Sequence, residues 1–267
     1  MEDTKAELER IIGSTDIRYP AVRLAQGGHY LPPETYTRSQ KVGEDLFTGI
    51  ADLERISAEY RGGATINLPA LQRSWPPLGR LCAGLEAQLD HAPHANVFMT
   101  PGNAAGFTPH YDVHEVFVLQ VAGRKRWSLY EPPIRLPYRS QLFNPQDYSP
   151  PQPFAQLELA AGDLLYLPRG TVHSTTTSEE FSAHVTIDIS VYTWVDLARE
   201  ALQSSIDGEP LRRALPPGFA HRPGLMSPSW TCSRGCRRPS HARSGSRRTA
   251  RASRRNSTAS GTCCHRR

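Results

Sequence analysis

The spacing of hydrophobic residues changes character about a third of the way along this chain. Leu46, Ile50, Leu53 and Ile56 recur at helical intervals, which predicts a helix within residues 43–60. A second stripe, Leu78, Leu81, Cys82, Leu85 and Leu89, predicts a helix running from a cap at Ser74 to about Asp90. Residues 1–40 are mixed and punctuated by proline, so they read as short strands and loops, and "GGATINL" reads as a short strand after a glycine turn. Beyond Asp90 the texture becomes strand-like. "NVFMTP", "HEVFVLQVAG", "KRWSLYEP", "FAQLELAAGDLLYLPRG" and "AHVTIDISVYTW" are short strand candidates broken by Gly and Pro. That many strands within about 100 residues predict a sandwich or jelly-roll barrel. A helix, "VDLAREALQSSI", begins near Asp196 and stops near "DGEP". Past Leu225 the periodicity ends, and no internal repeat is visible.

Composition divides the chain in the same place. The net charge of +5 belongs to the C-terminal stretch, where residues 226–267 hold eleven arginines and no acidic residue. Of 31 basic residues that leaves 20 against 26 acidic ones, so the body is mildly acidic. Cys82 is the only cysteine of the body, while Cys232, Cys236, Cys263 and Cys264 lie in the tail. A body with one thiol has no internal disulfide, which fits a reducing compartment. The charged start, "MEDTKAELERIIG", lacks a secretory leader's apolar stretch, and no run reaches the roughly 20 apolar residues of a membrane span. The expectation is a cytoplasmic protein without a membrane segment. The tail's Ser, Arg and Gly predict disorder, with nucleic-acid binding only weak and only through that basic stretch. Its cysteines are too far apart for a zinc site to be expected.

The chemistry centres on "PHYDVHEVFVLQ", residues 109–120. In an extended chain His110 and Asp112 point to one face, about 7 Å apart. They can grip a metal or simply pair with each other. A second histidine, His173, follows the turn in "GDLLYLPRGTVHS", 63 residues after His110. Strands that far apart in sequence can face each other across a jelly roll. Two histidines and one carboxylate make the facial triad that holds non-heme Fe(II) and leaves positions open. His114 shares the strand parity of His110, so it can support the ligands from behind. Lys125 shares parity with Trp127 in "VAGRKRWSLY". Beside an indole, a lysine either snorkels to solvent or meets an anion inside.

The segment "NVFMTPGNAAGFTPHYDVHEVFVLQVAGRKRWSLYEP", with "GDLLYLPRGTVH" and "HVTIDIS", resembles the JmjC-type, cupin-like ribosomal oxygenases. The resemblance runs over roughly Leu31 to Leu225 and is densest from Asn96 to Thr193. It implies a mainly β fold, a double-stranded β-helix with flanking helices, and a protein hydroxylase that uses Fe(II), 2-oxoglutarate and O2. It implies that His110, Asp112 and His173 hold iron, that Lys125 pairs with the far carboxylate of 2-oxoglutarate, and that Thr186 and Asn96 assist. Phe98 stands where several relatives carry a tyrosine, which removes one hydroxyl from the cosubstrate end. The implied substrate is a protein side chain, such as a histidine or arginine of a ribosomal protein. A small-molecule or peptide hydroxylase and a non-catalytic metal-binding cupin are the alternatives, and no methyl-lysine pocket is recognisable. The expected organisation is an oxygenase domain over 1–195 with N-terminal helical decoration. The start of a helical, dimerisation-like region follows over 196–225, making a homodimer an option. The Arg/Ser-rich tail, 226–267, is dispensable in this reading.

Overall fold

Which side of each strand meets water is decided by alternation, and here the strands Thr65–Leu68 and Ser182–Ser190 are buried on both faces almost throughout. The computed structural model of the chain describes residues 10, 13, 17–215 and 217. Twelve strands are formed among the described residues: β1 (Arg23–Gln26), β2 (His29–Tyr30), β3 (Thr37–Val42), β4 (Asp45–Ala51), β5 (Thr65–Leu68), β6 (Ala92–Thr100), β7 (Glu115–Ala122), β8 (Arg124–Tyr130), β9 (Ala155–Ala160), β10 (Leu164–Leu167), β11 (Val172–Thr177) and β12 (Ser182–Ser190). The helices are α1 (Leu53–Arg61), α2 (Pro76–Leu89), α3 (Trp194–Ser205) and α4 (Glu209–Arg212). The chain forms two compact units, residues 1–204 and 205–267. All twelve strands belong to the first, and α4 lies in the second. No helix among the described residues is long and apolar enough to cross a membrane. The expectation for the tail, 226–267, lies outside the described residues.

The strands make a seven-stranded sheet, β10-β7-β12-β6-β5-β1-β2, a three-stranded sheet, β11-β8-β9, and the β3-β4 hairpin. This is the mainly β, jelly-roll architecture expected from the spacing of the strands. β12 sits in the middle of the large sheet, paired antiparallel with β6 and β7. Its odd positions, Ala183, Val185, Ile187 and Ile189, join Ala95, Val97 and Met99 of β6 and Ile66 and Leu68 of β5 in the main core. Ile56 of α1 and Leu78 and Cys82 of α2 close that core from outside. The even positions face the other way, toward the small sheet. There Val116 and Val118 of β7 pack with Trp127 and Leu129 of β8, Leu159 of β9 and Leu167 of β10. A fully buried leucine-sized side chain contributes about 1.5–3 kcal/mol, so both faces add to stability.

Two expectations are corrected. The helical spacing within 43–60 spans two elements, because Asp45–Ala51 is strand β4 and only Leu53–Arg61 is helix. Gly43 and Gly49 take positive φ, at 60° and 69°, which a helix does not use. Gly43 and Glu44 make the two-residue link of a hairpin, with Val42 opposite Asp45. The helix starts where Asp52 accepts a hydrogen bond from the Arg55 backbone N–H at 3.2 Å. Ser74 does not cap α2. Trp75 occupies the cap position without a side-chain bond, and Pro76 opens the helix, where its missing N–H is harmless. Ser74 instead ends a 3-10 turn, Leu71–Arg73.

Gly123 is the whole link between β7 and β8, which lie in different sheets. Its φ is +60°, and a Cβ there would overlap the Phe181 carbonyl. Gly123→Ala should destabilise the protein by about 1–3 kcal/mol from backbone strain alone. Urea unfolding checks this, and an unchanged midpoint would contradict it.

Candidate active site

His110 and Asp112 stand just before β7, not within it, so the strand expected to carry them starts later, at Glu115. Tertiary pairing replaces the missing strand. The His110 N–H donates to the His173 carbonyl at 3.1 Å, and the His173 N–H donates to the His110 carbonyl at 2.8 Å. The Gly170 N–H donates to the Asp112 carbonyl at 2.9 Å. His173 comes from β11 of the small sheet, so the site joins the two sheets. A ligand atom from each of His110, Asp112 and His173 lies within 4.8 Å of the others.

Both imidazoles are set for one orientation. Nδ1 of His110 is 2.7 Å from the Thr108 carbonyl, and Nδ1 of His173 is 3.1 Å from the Thr171 carbonyl. A carbonyl can only accept, so each Nδ1 carries the proton and, in the neutral ring, Nε2 keeps its lone pair. That is the tautomer a metal ligand needs, fixed by the backbone behind it. Burial and then the neighbouring His110 lower the His173 pKa to about 4, which keeps its ring neutral. Two imidazoles held in this way and one carboxylate, with ligand atoms within 4.8 Å of one another, fit a divalent first-row metal.

The triad lines a cavity of about 400 Å³ that also takes in Asn96, Lys125 and Thr186. All six sequence-derived site residues therefore meet in one place. Lys125 lies on the cavity face of β8 beside Trp127, while Arg124 and Arg126 of the other face reach Glu158 at 3.0 and 3.9 Å. The Lys125 ammonium is 2% exposed and donates to the Thr100 hydroxyl at 3.0 Å. It has no ion pair among the described residues. Burial alone lowers its pKa from 10.5 to about 7. Thr186 of β12 and Asn96 of β6 are direct cross-strand partners. Asn96 donates to Thr186 Oγ1 at 3.4 Å and to the Asp188 carboxylate, and its Oδ1 accepts from the Ala70 N–H at 3.0 Å.

Three of the cavity residues that were not singled out in the sequence stand close to the site residues. His184 is 4% exposed and stacks on Phe98 with centroids 5.1 Å apart. Burial, then Lys125, holds its pKa well below the usual histidine range. Asp188 is pushed up to about 6 by burial. Its carboxylate also lies 4.0 Å from His114, which in turn is 3.9 Å from Asp112. His114 thus bridges a metal-ligand candidate and a buried acid, the supporting place its parity suggested. Phe107 meets His110 edge-on at 5.7 Å. Parity was the available signal for two of these, since His184, Thr186 and Asp188 share one face of β12.

Residues 71–197 match the JmjC domain family. The bifunctional lysine-specific demethylase and histidyl-hydroxylase NO66 of Drosophila mojavensis is 38% identical over 176 residues, covering 64% of this chain and 19% of that protein. The protein of the same name from Dictyostelium discoideum is 34% identical over 154 residues, covering 55% of this chain and 30% of its own length. This chain therefore spans less than a third of these relatives. Among solved structures, the ribosomal oxygenase YcfD of Escherichia coli superposes with a TM-score of 0.50 at 19% identity, over 84% of this chain and 55% of that one. At that identity the likeness supports the fold.

Lys125 gives the site a pH signature. The unfolded chain keeps this proton to about pH 10, whereas the folded one releases it near pH 7. The unfolded state thus binds more protons in that window, and the penalty of burying the lysine fades as pH rises. Lys125→Met should stabilise the protein, free of added ligand, by roughly 3–5 kcal/mol near pH 6. The gain should shrink toward pH 10. Thermal melts of both proteins across that range check this, and a pH-independent gap would contradict it.

Proposed function

The chain belongs to the JmjC domain family through residues 71–197, and from that premise we propose that it is an Fe(II)- and 2-oxoglutarate-dependent oxygenase that hydroxylates a protein side chain. The observation that carries this reading is the convergence of His110, Asp112 and His173 beside a buried, unpaired Lys125 in one cavity. His110, Asp112 and His173 would hold Fe(II), with Asp112 as the one anionic ligand. Bound Fe(II), with 2-oxoglutarate and O2, supplies the oxidising power to place oxygen on an unactivated C–H bond. The chain's own residues orient and shield. Lys125, held by Thr100, offers a charge-assisted hydrogen bond to the far carboxylate of 2-oxoglutarate. An anion there lets the ammonium keep its proton above pH 7. Thr186 and Asn96 line the same end as hydrogen-bonding groups. Phe98, Phe107 and Trp127 give the cavity apolar walls that keep bulk water from the reacting centre.

A protein substrate, such as a ribosomal protein, suits the mildly acidic body, and the similarity to the histidyl-hydroxylase NO66 points the same way. A cytoplasmic location and a homodimer through the helical region from Asp196 complete the proposal. The apolar residues Trp194, Leu197 and Leu202 of α3 are exposed and suit self-association. Sedimentation velocity on the full chain is expected to show a dimer, and a monomer at micromolar concentration would remove that part.

One assay addresses the chemistry. Iron-loaded protein with 2-oxoglutarate and cell extract should release succinate and add the mass of one oxygen atom to a defined peptide. His110→Ala and His173→Ala should abolish both. Lys125→Ala should keep metal binding and weaken 2-oxoglutarate roughly ten- to a hundredfold, the size of one buried charge-assisted bond. Succinate without any modified peptide would favour a small-molecule substrate. Wild-type succinate from the histidine variants would exclude the triad.

A further inference from the structure

His110 sits in a stretch that has no strand of its own, residues 101–114 between β6 and β7. Part of that stretch is tied to β11 and the residue after it. The Gly106 N–H donates to the Thr175 carbonyl at 2.9 Å and the Asn103 N–H to the Ser178 carbonyl at 2.6 Å, ahead of the reciprocal bonds between His110 and His173. The stretch also meets the β1–β2 hairpin, at Gly28 and Tyr30. That hairpin precedes the segment that matches the JmjC family, and no step above uses it.

The hairpin closes through Gly27 and Gly28, with Gln26 opposite His29. Both glycines take positive φ, +58° and +86°, as a two-residue hairpin turn requires. Their surroundings differ. A Cβ on Gly27 would meet nothing within 4 Å, whereas one on Gly28 would lie 2.7 Å from Cγ2, 3.1 Å from Oγ1 and 3.3 Å from Cβ of Thr108. Both branches of Thr108 face Gly28, so turning that side chain moves one branch away and leaves the other. Only a residue without a side chain lets the turn come this close. The Thr108 carbonyl is the group that accepts from Nδ1 of His110, at 2.7 Å. Beside it, Tyr30 of β2 meets Phe107 edge-on at 5.4 Å, and Phe107 meets His110 at 5.7 Å. The Tyr30 hydroxyl is itself held, accepting from Asn67 Nδ2 at 3.0 Å. The hairpin therefore backs two consecutive residues, Phe107 and Thr108, and both touch the His110 ring.

We propose that Gly28 is a positioning residue of the metal centre: the hairpin turn buttresses Thr108, and the Thr108 carbonyl fixes the tautomer and direction of the His110 imidazole. This rests on the reading of His110, Asp112 and His173 as metal ligands. A carbonyl in an irregular stretch can swing with its peptide plane, and the imidazole it holds swings with it. The two histidines differ in this respect. The Thr171 carbonyl behind His173 belongs to a turn closed by the Thr171 N–H donating to the Pro168 carbonyl at 3.0 Å, and β11 begins at the next residue. Thr108 has no strand beside it in sequence, so the packed hairpin supplies the stiffness that β11 supplies to Thr171.

Mn(II) titration of the full chain, read by electron paramagnetic resonance, and the visible absorption of the Co(II)-loaded chain test this without turnover. Gly28→Ala should weaken Mn(II) about tenfold, the low end for disturbing a group that orients a metal ligand, and should shift the Co(II) bands. Gly27→Ala puts the same kind of backbone strain into the same turn but touches nothing. It should lower the thermal midpoint as Gly28→Ala does and keep wild-type Mn(II) affinity and Co(II) bands. Gly28→Ala combined with Thr108→Ala removes both branches and keeps the carbonyl. That pair should regain most of the Mn(II) affinity while the midpoint stays low. Wild-type affinity in Gly28→Ala, an equal loss in Gly27→Ala, or no recovery in the double variant would each overturn the buttress. Should Gly28→Ala fail to fold, Thr108→Gly opens the same contact without straining the turn, and unchanged Mn(II) affinity there would overturn the proposal in its place. A wild-type chain that binds neither metal would instead remove the metal-centre reading. The buttress is then decided on the metal-free chain by nitrogen NMR of the imidazoles: His110 should be protonated at Nδ1 in wild type and Gly27→Ala and should mix tautomers in Gly28→Ala, and one spectrum for all three would overturn it.

Discussion

Two backbone hydrogen bonds between His110 and His173 hold the site together. Neither histidine could be aimed by its own strand alone, since His110 lies in an irregular stretch ahead of β7. The reciprocal pair splices that stretch onto β11 and so brings the two imidazoles side by side, with ring centroids 4.6 Å apart. Each ring then turns its Nδ1 to the carbonyl two residues before it. The same local device, used twice, leaves two lone pairs facing one point. Asp112 joins them because its own carbonyl is tied to Gly170, in the turn that precedes β11.

The sheet behind the site is divided by parity. Odd positions of β6 and β12 supply the core under the helices. Even positions supply Asn96, Phe98 and Thr100 on one strand and His184, Thr186 and Asp188 on the next. A strand buried on both faces has no solvent to hold its polar groups, so each must find a partner or remain unsatisfied. Asn96 ties Ala70, Thr186 and Asp188 together. Among the described residues, Lys125 has only a hydroxyl, His184 keeps an unpartnered Nδ1, and Arg23 and Asn67 keep one unpartnered atom each. Most of the unsatisfied buried groups among the described residues line the cavity, which is where stability is given up for ligand recognition.

The shifted ionisations have the same origin. Burial lowers Lys125 and His173 and raises Asp188, so each is moved toward its neutral form. For His173 neutrality suits a metal ligand. For Lys125 burial beside a hydroxyl suits an anionic ligand, which would favour its charged form. One desolvated cavity thus favours cation coordination at one end and anion capture at the other.

The sequence by itself determined the strand-rich body, the His-x-Asp motif with its distant histidine, and the face carrying Lys125 and Trp127, because these follow from a period of two and from residue chemistry. It misread residues 43–51 as helix, since four apolar residues at helical spacing also fit a twisted hairpin when two glycines at positive φ bend the chain. It gave Ser74 a cap that Pro76 made unnecessary. It passed over His184 and Asp188, because whether a polar residue on a β12 face is solvated or sealed in depends on the sheet laid over it. The cross-strand row of Arg23, Asn67, Phe98 and His184 joins residues scattered over most of the first unit. Only the antiparallel register brings them together, and register is set by which strands pair across the barrel, a contact that no local pattern encodes.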